Sequence, residues 1–287
     1  MRIKIWGCRG SIAAPGKNTL RYGGESTCLE LTSDTGQKIV IDAGSGIRKL
    51  GYELLKDKTI SSIKLLLTHS HWDHLTGFPF FSPAYAPDFS IVISGSSVAQ
   101  ESVMKYLAHL MEPPYFPVAF NMLKARFESG CICDQEFCDH SLPGHDTSIM
   151  CHSIPLNHPN GGYGFKFIGI DNTFVFLTDN EVRYHHENGL PRKAYLDFCD
   201  NVDLLFHDAH YTETEYDRTR SWGHSTFKDA VDLAMEAGVK RLGLFHHDPD
   251  RSDEEIDRQV DWCREYILKS GSALECFACA EGMDFDL

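Results

Sequence analysis

Short apolar runs along the first third of the chain alternate with helical patterns. The runs are rich in β-branched and aliphatic residues, and turn signals separate them, as is typical of strands. Helical periodicity appears at residues 46–56 and 97–111, and the second pattern stops at a pair of prolines. The predicted strands lie at residues 2–6, 27–31, 38–41, 63–67 and 91–94.

The second half of the chain repeats this alternation after an irregular middle. Helices are predicted at residues 225–237 and 253–269, where Ser225 is a candidate N-cap and Gly238 a terminator of the first. The predicted strands lie at 148–154, 164–168, 173–177, 202–206 and 241–245, with candidate edge strands at 274–277 and 283–285. Strands that alternate with helices in both halves favour a layered α/β domain.

Polar residues with metal-binding side chains recur directly after the predicted strands. His69, Asp179, Asp208 and His246 each follow an apolar run. In layered α/β folds the loops after the strands converge on one rim and carry the functional site. We therefore expect these side chains to lie close together.

The densest of these clusters is the stretch from Thr68 to His74, which reads Thr-His-Ser-His-Trp-Asp-His. It holds three histidines and one aspartate within six residues, directly after a buried strand. Imidazole nitrogens and carboxylate oxygens suit zinc or a similar transition metal. The alternative is a polar loop that happens to contain three imidazoles.

The composition of the chain limits the classes of molecule that the protein can bind. Hydrophobic residues make up 42% and charged residues 24% of the 287, and the formal charge is −14. So acidic a chain argues against long nucleic acids as partners, because proteins bind their phosphates through basic surface. No apolar run reaches the roughly 20 residues of a membrane span, and the N-terminus lacks a signal-peptide pattern, so we expect a cytoplasmic protein with no membrane partner.

Three further motifs give the chain a family resemblance. They are His207-Asp208-Ala209, the stretch Gly-His-Ser-Thr at 223–226, and Ala-Gly-Val-Lys-Arg at 237–241. Together with the histidine cluster and the strand and turn at 39–44, they resemble the metallo-β-lactamase superfamily in its ribonuclease Z and phosphodiesterase branch. The resemblance implies an αββα four-layer sandwich and a single metallo-hydrolase domain over 1–287, with 112–147 as a candidate irregular insertion.

The resemblance also implies two divalent metal ions, zinc in the first instance, with manganese or iron as alternatives. One metal would take three histidines, the other would take an aspartate and two histidines, and a second aspartate would bridge them. The implied ligands are His69, His71 and His158 for the first metal, Asp73, His74 and His246 for the second, and Asp179 as the bridge. His247 is the alternative to His246, and the family pattern counted back from Pro249 favours His246.

In the resembled branch, a metal-bridging hydroxide attacks the substrate and the histidine of Gly-His-Ser-Thr gives the leaving group a proton. That histidine is His224 here, and Asp208 would orient it and raise its pKa. The alternative makes His224 a residue of a mobile loop at a helix N-terminus. For Asp42 we favour a structural role in its turn over catalysis.

A second cluster consists of Cys131, Cys133, Cys138 and His140. Three cysteines and one histidine form an accepted ligand set for a structural zinc ion. The spacing departs from paired CxxC motifs and from what the resemblance implies for the core. The alternative is an irregular insertion with reduced thiols.

The expected substrate is a small phosphodiester or a cyclic nucleotide. Only 20 residues separate His158 from Asp179, which leaves no room for the long arm that grips transfer RNA in ribonuclease Z. The first alternative is a hydrolase of carboxylic esters, lactones or thioesters that uses the same metals. A ribonuclease and a non-catalytic sensor are the further alternatives. The aromatic segment 111–117 admits a nucleobase-stacking wall, a packed crossover or a homodimer contact.

Overall fold

Two mixed β-sheets form the centre of the computed structural model, which describes residues 1–95, 103–130, 140–141 and 148–287. Within these residues the first sheet has the order β14-β1-β2-β3-β4-β5-β6. Its strands are β1 (Arg2–Gly7), β2 (Cys28–Thr32), β3 (Lys38–Ile41), β4 (Ser62–Leu67), β5 (Ser90–Gly95), β6 (Arg126–Ser129) and β14 (Asp284–Asp286).

The second sheet has the order β13-β12-β11-β10-β9-β8-β7 in the same described ranges. Its parallel part, β10 to β13, lies beside the antiparallel strands β8 and β9. The strands are β7 (His140–Ser141), β8 (Met150–Pro155), β9 (Tyr163–Ile168), β10 (Thr173–Leu177), β11 (Leu204–Asp208), β12 (Arg241–Phe245) and β13 (Glu275–Ala278).

Helices cover the outer face of each sheet. Helices α1 (Ile47–Lys56) and α2 (Val103–Leu110) share an apolar core with the first sheet. Helices α3 (Arg192–Phe198), α5 (Phe227–Glu236) and α6 (Asp253–Lys269) share another with the second sheet. The short helix α4 (Glu213–Thr219) lies between β11 and α5 in the chain.

The inner faces of the two sheets meet in an aromatic layer. Phe174, Phe176, Phe206 and Phe245 are fully buried there and pack edge-on or stacked with centroid distances of 5.1–6.1 Å. Burying one such side chain stabilises a fold by roughly 1.5–3 kcal/mol. The order helix, sheet, sheet, helix confirms the four-layer αββα sandwich, and the core shared by both sheets supports our proposal of one domain.

Most predicted strands and helices agree with the structure to within two residues. Residues 38–41, 173–177, 241–245 and 253–269 have the predicted bounds. Helices α3 and α4 and strand β6 were not predicted from the sequence. Strand β6 lies inside the segment 112–147, where we expected irregular structure, and it pairs with β5.

The predicted N-cap of α5 is wrong by one residue. Thr226, not Ser225, caps the helix: its side chain accepts from the Asp229 N–H, and the Asp229 carboxylate accepts from the Thr226 N–H. The Ser225 hydroxyl instead donates to the carbonyl of Asn180 and accepts from the N–H of Val182. Ser225 thus ties the start of α5 to the loop after β10.

The ends of the central strands form one rim. β3, β4 and β5 are parallel, as are β10, β11 and β12, so the loops that follow them emerge at a common edge. Helices of the described ranges include none long and apolar enough to cross a bilayer.

Candidate metal centre

Five loops and one strand end at the rim carry the predicted site residues. The loop after β4 brings His69, His71, Asp73 and His74, and the first sheet also brings Asp42 after β3. The second sheet brings His158, Asp179 and His246 from the loops after β8, β10 and β12, Asp208 from the last position of β11, and His224 from the loop before α5. Both sheets therefore contribute to one cluster.

The first group of ligand candidates contains three histidines and one carboxylate. His69, His71, His158 and Asp179 offer ligand atoms that all lie within 4.8 Å of one another. The Nε2 atom of His158 lies 3.1 Å from Nδ1 of His71. This is the donor set expected for the first metal.

The second group contains Asp73, His74 and His246, whose ligand atoms also lie within 4.8 Å of one another. Oδ2 of Asp73 lies 3.2 Å from Nε2 of His74 and 3.0 Å from Nε2 of His246. All three residues are buried. The donors are those expected for the second metal.

Asp179 lies between the two groups. Its Oδ1 atom is 3.7 Å from Nε2 of His69 and 3.8 Å from Nε2 of His158. Its Oδ2 atom is 3.2 Å from Nε2 of His74 and 3.3 Å from Nε2 of His246. Each oxygen of one carboxylate thus faces a different group.

Neighbouring groups fix which ring nitrogen of His69 and of His74 faces the cluster. The Thr68 hydroxyl donates its single hydrogen to Asp42, so it accepts from Nδ1 of His69 at 3.0 Å. Nδ1 of His74 donates to Oδ2 of Asp42 at 2.8 Å. Each ring then presents Nε2 to the centre, as metal-ligating histidines do.

The same arrangement recurs at His158, whose Nδ1 donates to the carbonyl of Gly223 at 2.9 Å. The Nε2 atoms of His69 and His74 are buried without a hydrogen-bond partner among the described residues. Buried nitrogens without partners are costly unless something else satisfies them. The donor set and these two atoms fit bound divalent cations.

Two histidines of the cluster, His69 and His74, have pKa values shifted in opposite directions. Burial opposes the charge on His74, but Asp73, Asp179 and Asp42 outweigh it and raise its pKa well above the usual value. Burial, reinforced by the charge of His74, lowers the pKa of His69 well below its usual value. A metal that binds His74 must displace its proton, so binding should release a proton.

His246 and His247 point in different directions. His246 faces the cluster, while Nε2 of His247 donates to the carbonyl of Cys279 at 2.9 Å, away from it. Gly10 lies against the His246 ring so closely that a Cβ atom there would be 2.4 Å from Nδ1. The geometry favours His246 over His247 as the ligand.

Three residues of the rim adopt left-handed backbone conformations. Asp42, Asp179 and His246 have φ of 63°, 52° and 60°. Most residues other than glycine adopt this conformation at a cost, and aspartate, asparagine and histidine tolerate it better than the rest. The turn at each of these strand ends sends the side chain toward the cluster.

His224 and Asp208 form a hydrogen-bonded pair beside the cluster. Nδ1 of His224 donates to Oδ2 of Asp208 at 2.8 Å, and Oδ1 of Asp208 accepts from the Ser225 N–H. Burial opposes the charge on His224, but Asp208 outweighs it, and the pKa of His224 rises to about 9. The predicted orienting contact is therefore present in the structure.

The loop that carries His224 is fastened by Glu181. This fully buried carboxylate accepts from the N–H groups of Ser221 and Gly223, the Tyr216 hydroxyl and Nε2 of His186, all at 2.8–2.9 Å. Gly223 in turn accepts from the His158 ring. Glu181 thus connects the His224 loop to a ligand candidate.

Sequence patterns assigned no role to His210 or Glu181. His210 is buried, and its ring stacks on His224 with centroids 4.6 Å apart. It stands two residues after Asp208, so alternation along an extended chain was a usable signal. Glu181 carried no comparable signal, because three of its four partners lie 35 to 42 residues away in the chain.

The second predicted cluster lies almost wholly in residues that the structure does not describe. Cys131, Cys133 and Cys138 lie outside the described residues, and for His140 only the backbone is described, in β7. The structural zinc site therefore stays a prediction.

Comparison with known proteins gives one family match. The model of the "Beta-lactamase superfamily domain" matches residues 37–247, about three quarters of the chain. Ribonuclease Z of Exiguobacterium sibiricum is 36% identical over 67% of this chain and 72% of its own length.

Two solved structures share the fold. One is the metallo-β-lactamase fold protein YhfI from Bacillus subtilis, with a TM-score of 0.67, 16% identity and coverage of 99% of this chain and 98% of YhfI. The other is the short form of human tRNase Z, with a TM-score of 0.65, 19% identity and coverage of 100% and 99%. At these identities the likeness concerns the fold alone.

Proposed function

Because the chain belongs to the metallo-β-lactamase superfamily of metal-dependent hydrolases, in the branch of ribonuclease Z, we propose that it hydrolyses a small phosphodiester with two bound metals. The observation that carries this proposal is the position of Asp179. Its two carboxylate oxygens face two separate groups of buried donors. A two-metal site needs such a shared ligand.

We assign the cations as zinc, since imidazole and carboxylate donors suit it. Two cations bound here would lower the pKa of water and stabilise negative charge on the phosphoryl oxygens. The proposed ligands are His69, His71 and His158 for one cation, Asp73, His74 and His246 for the other, and Asp179 for both.

His224 is the proposed proton donor to the leaving alcohol. Nδ1 is engaged by Asp208, so Nε2 is the atom that can give a proton to the ester oxygen. Asp208 keeps the ring oriented and supports its cationic form. Bound cations would lower the pKa of His224 from about 9 toward neutrality, which suits a general acid.

The substrate is proposed to be small, such as a cyclic nucleotide. Residues 159–178, between His158 and Asp179, contain only the hairpin of β9 and β10, whose connection spans residues 169–172. This part of the chain has no arm to hold a folded RNA. The formal charge of −14 also disfavours long polyanions.

The test of the proton donor is a leaving-group series on zinc-loaded protein. We expect His224→Ala to lower kcat/KM about 100-fold or more for alkyl phosphodiesters, whose alcohols need a proton. The loss should be much smaller for bis-p-nitrophenyl phosphate, because p-nitrophenolate leaves without one. His185→Ala, at an exposed histidine of the same region, is the matched control.

Two outcomes would contradict the proposal. Equal losses on good and poor leaving groups would exclude His224 as the proton donor. Hydrolysis of lactones or thioesters without hydrolysis of any phosphodiester would replace the proposed reaction by acyl transfer to water. The cytoplasmic location stays a prediction, and a homodimer contact stays one of the three alternatives for the segment 111–117.

A further inference from the structure

A pocket of about 510 Å³ opens beside the cluster, on the side of His224. Its wall includes His210, His224 and Asp248, and the indole of Trp222 lies at the rim with 60% of its surface exposed. If His224 gives its proton to the leaving oxygen, the leaving alcohol occupies this pocket. The pocket therefore decides which alcohols fit.

His210 presents a hydrogen-bond acceptor in this wall. The residue is only 3% exposed, and its ring stacks on His224. Nδ1 lies 2.9 Å from the carbonyl oxygen of His246. A carbonyl can only accept, so Nδ1 carries the hydrogen, and Nε2 of the neutral ring keeps its lone pair.

A second acceptor lies beside the first. Oδ2 of Asp248 is 3.5 Å from Nε2 of His210. Oδ1 of Asp248 accepts from the N–H of Asp250, so Oδ2 is the oxygen that lies beside the His210 ring. Both residues line the pocket, and the Asp248 side chain is 23% exposed. A hydroxyl at this position would share its single hydrogen between the two acceptors in a bifurcated hydrogen bond.

On the basis of the proposed function, we propose that His210 and Asp248 bind a hydroxyl group next to the scissile ester oxygen of the leaving alcohol. The preferred substrates are then phosphodiesters whose leaving alcohol is half of a vicinal diol. A ribonucleotide that leaves through its 3′-oxygen has such a hydroxyl at the 2′ position, and a glycerol phosphodiester has one as well.

Trp222 distinguishes these two sources. Its exposed ring lies at the rim of the same pocket, where a base attached to the ribose could stack. Glycerol offers no group for this contact. The ribonucleotide is therefore the source that the pocket favours.

The test compares matched substrates on zinc-loaded protein. The pairs are 3′,5′-cyclic AMP, 3′,5′-cyclic GMP and the dinucleotide adenylyl-(3′→5′)-adenosine, each with its 2′-deoxy counterpart, and glycerophosphocholine is a separate arm. We expect the fully ribose member of at least one pair to be preferred in kcat/KM by about ten-fold or more. Glycerophosphocholine should be slower than that ribonucleotide.

Two variants then test whether His210 and Asp248 cause the preference for ribose. His210→Phe keeps a ring and removes both nitrogens, and Asp248→Asn keeps the shape of the more exposed partner. In both, the ratio of ribose to deoxyribose kcat/KM should fall toward one. The ratio is internally controlled, since a general loss of activity leaves it unchanged. Asp217→Asn, at an exposed carboxylate of α4, should leave the ratio as in the unmodified protein.

Failure of this proposal is distinguishable from failure of the proposed function. Hydrolysis of bis-p-nitrophenyl phosphate without any preference for ribose would overturn the diol site and leave the phosphodiesterase intact. So would a preference that survives both variants. If the unmodified protein hydrolysed no phosphodiester at all, both the diol site and the proposed function would be overturned.

Discussion

At the scale of single residues, the chemistry of the cluster is set by groups just outside it. Thr68, Asp42 and the Gly223 carbonyl each take the Nδ1 hydrogen of one histidine. The opposite nitrogens are thereby aimed at one centre, and Nε2 of His74 presents its lone pair there once its proton is displaced. Such outer contacts change metal affinity by about 10–100-fold when they are removed.

Asp179 is the residue on which the two-metal proposal depends. Asp179→Asn removes one charged oxygen from between the two groups, so we expect less than two zinc ions per chain and at least about ten-fold weaker binding. Elemental analysis after dialysis against a weak chelator measures this. Asp171→Asn, at an exposed position on the connection after β9, should keep full occupancy. Two tightly held ions in Asp179→Asn would exclude the bridging role.

Asp208 should set the alkaline limit of activity. Burial opposes the charge on His224, but Asp208 outweighs it and raises the pKa to about 9, and bound cations would lower the pKa from there. The acid form is lost as the pH rises through this lowered value. Asp208→Asn removes the opposing charge, and the pKa of His224 should fall. The alkaline limb of the kcat/KM profile for an alkyl phosphodiester should then move to lower pH. An unmoved limb, with Asp217→Asn as control, would separate Asp208 from proton donation.

At the scale of elements, short loops position the site, and the parallel strands position the loops. Glu181 shows how this works for the loop before α5, since one buried carboxylate gathers four donors. Two of these donors are N–H groups of residues 221 and 223, directly before His224. The position of the proposed proton donor therefore depends on a residue that need not touch substrate.

Glu181→Gln should loosen the loop that carries His224. The amide brings hydrogens toward N–H groups that need an acceptor, so we expect kcat to fall roughly ten- to hundred-fold and stability by about 1–3 kcal/mol. The fall in kcat should be larger for alkyl leaving groups than for p-nitrophenolate. Glu187→Gln, at an exposed carboxylate nearby, is the control. Equal losses on all leaving groups would reduce Glu181 to a structural role.

Sequence patterns were informative for elements with a clear period and for motifs with a fixed spacing. β4 and its His-Ser-His-Trp-Asp-His loop are contiguous, so both the strand and the donor cluster could be predicted. Glu181 could not, because its acceptor role depends on a loop about 40 residues later. Ser225 was the predicted cap, but its side chain is engaged by the loop after β10, and Thr226 caps the helix instead.

At the scale of the whole molecule, the candidate metal centre lies across the junction of the two sheets. His69, His71, Asp73 and His74 belong to the first sheet, and His158, Asp179 and His246 belong to the second. Pairing of distant segments of this kind follows from the fold rather than from any local pattern. The order of the ligands along the chain was available only through the family resemblance.

Metal removal should therefore loosen the contact between the sheets. A ligand that binds only the folded state at a thousand-fold excess over its Kd stabilises by about 4 kcal/mol, so the Tm should fall by roughly 10 °C after chelation. Calorimetry with dipicolinate, followed by added zinc, measures the loss and its recovery. A Tm that is indifferent to zinc would contradict a centre shared by the sheets.

The left-handed turns at Asp42, Asp179 and His246 have a consequence for laboratory evolution. Glycine would relax the backbone at each position, so a library screened for heat resistance in the presence of a chelator should enrich such replacements. The same replacements would remove two proposed ligands and the support of a third. Screening metal-free protein for heat resistance would thus erase the proposed metal centre first, and an engineered variant must hold these three positions fixed.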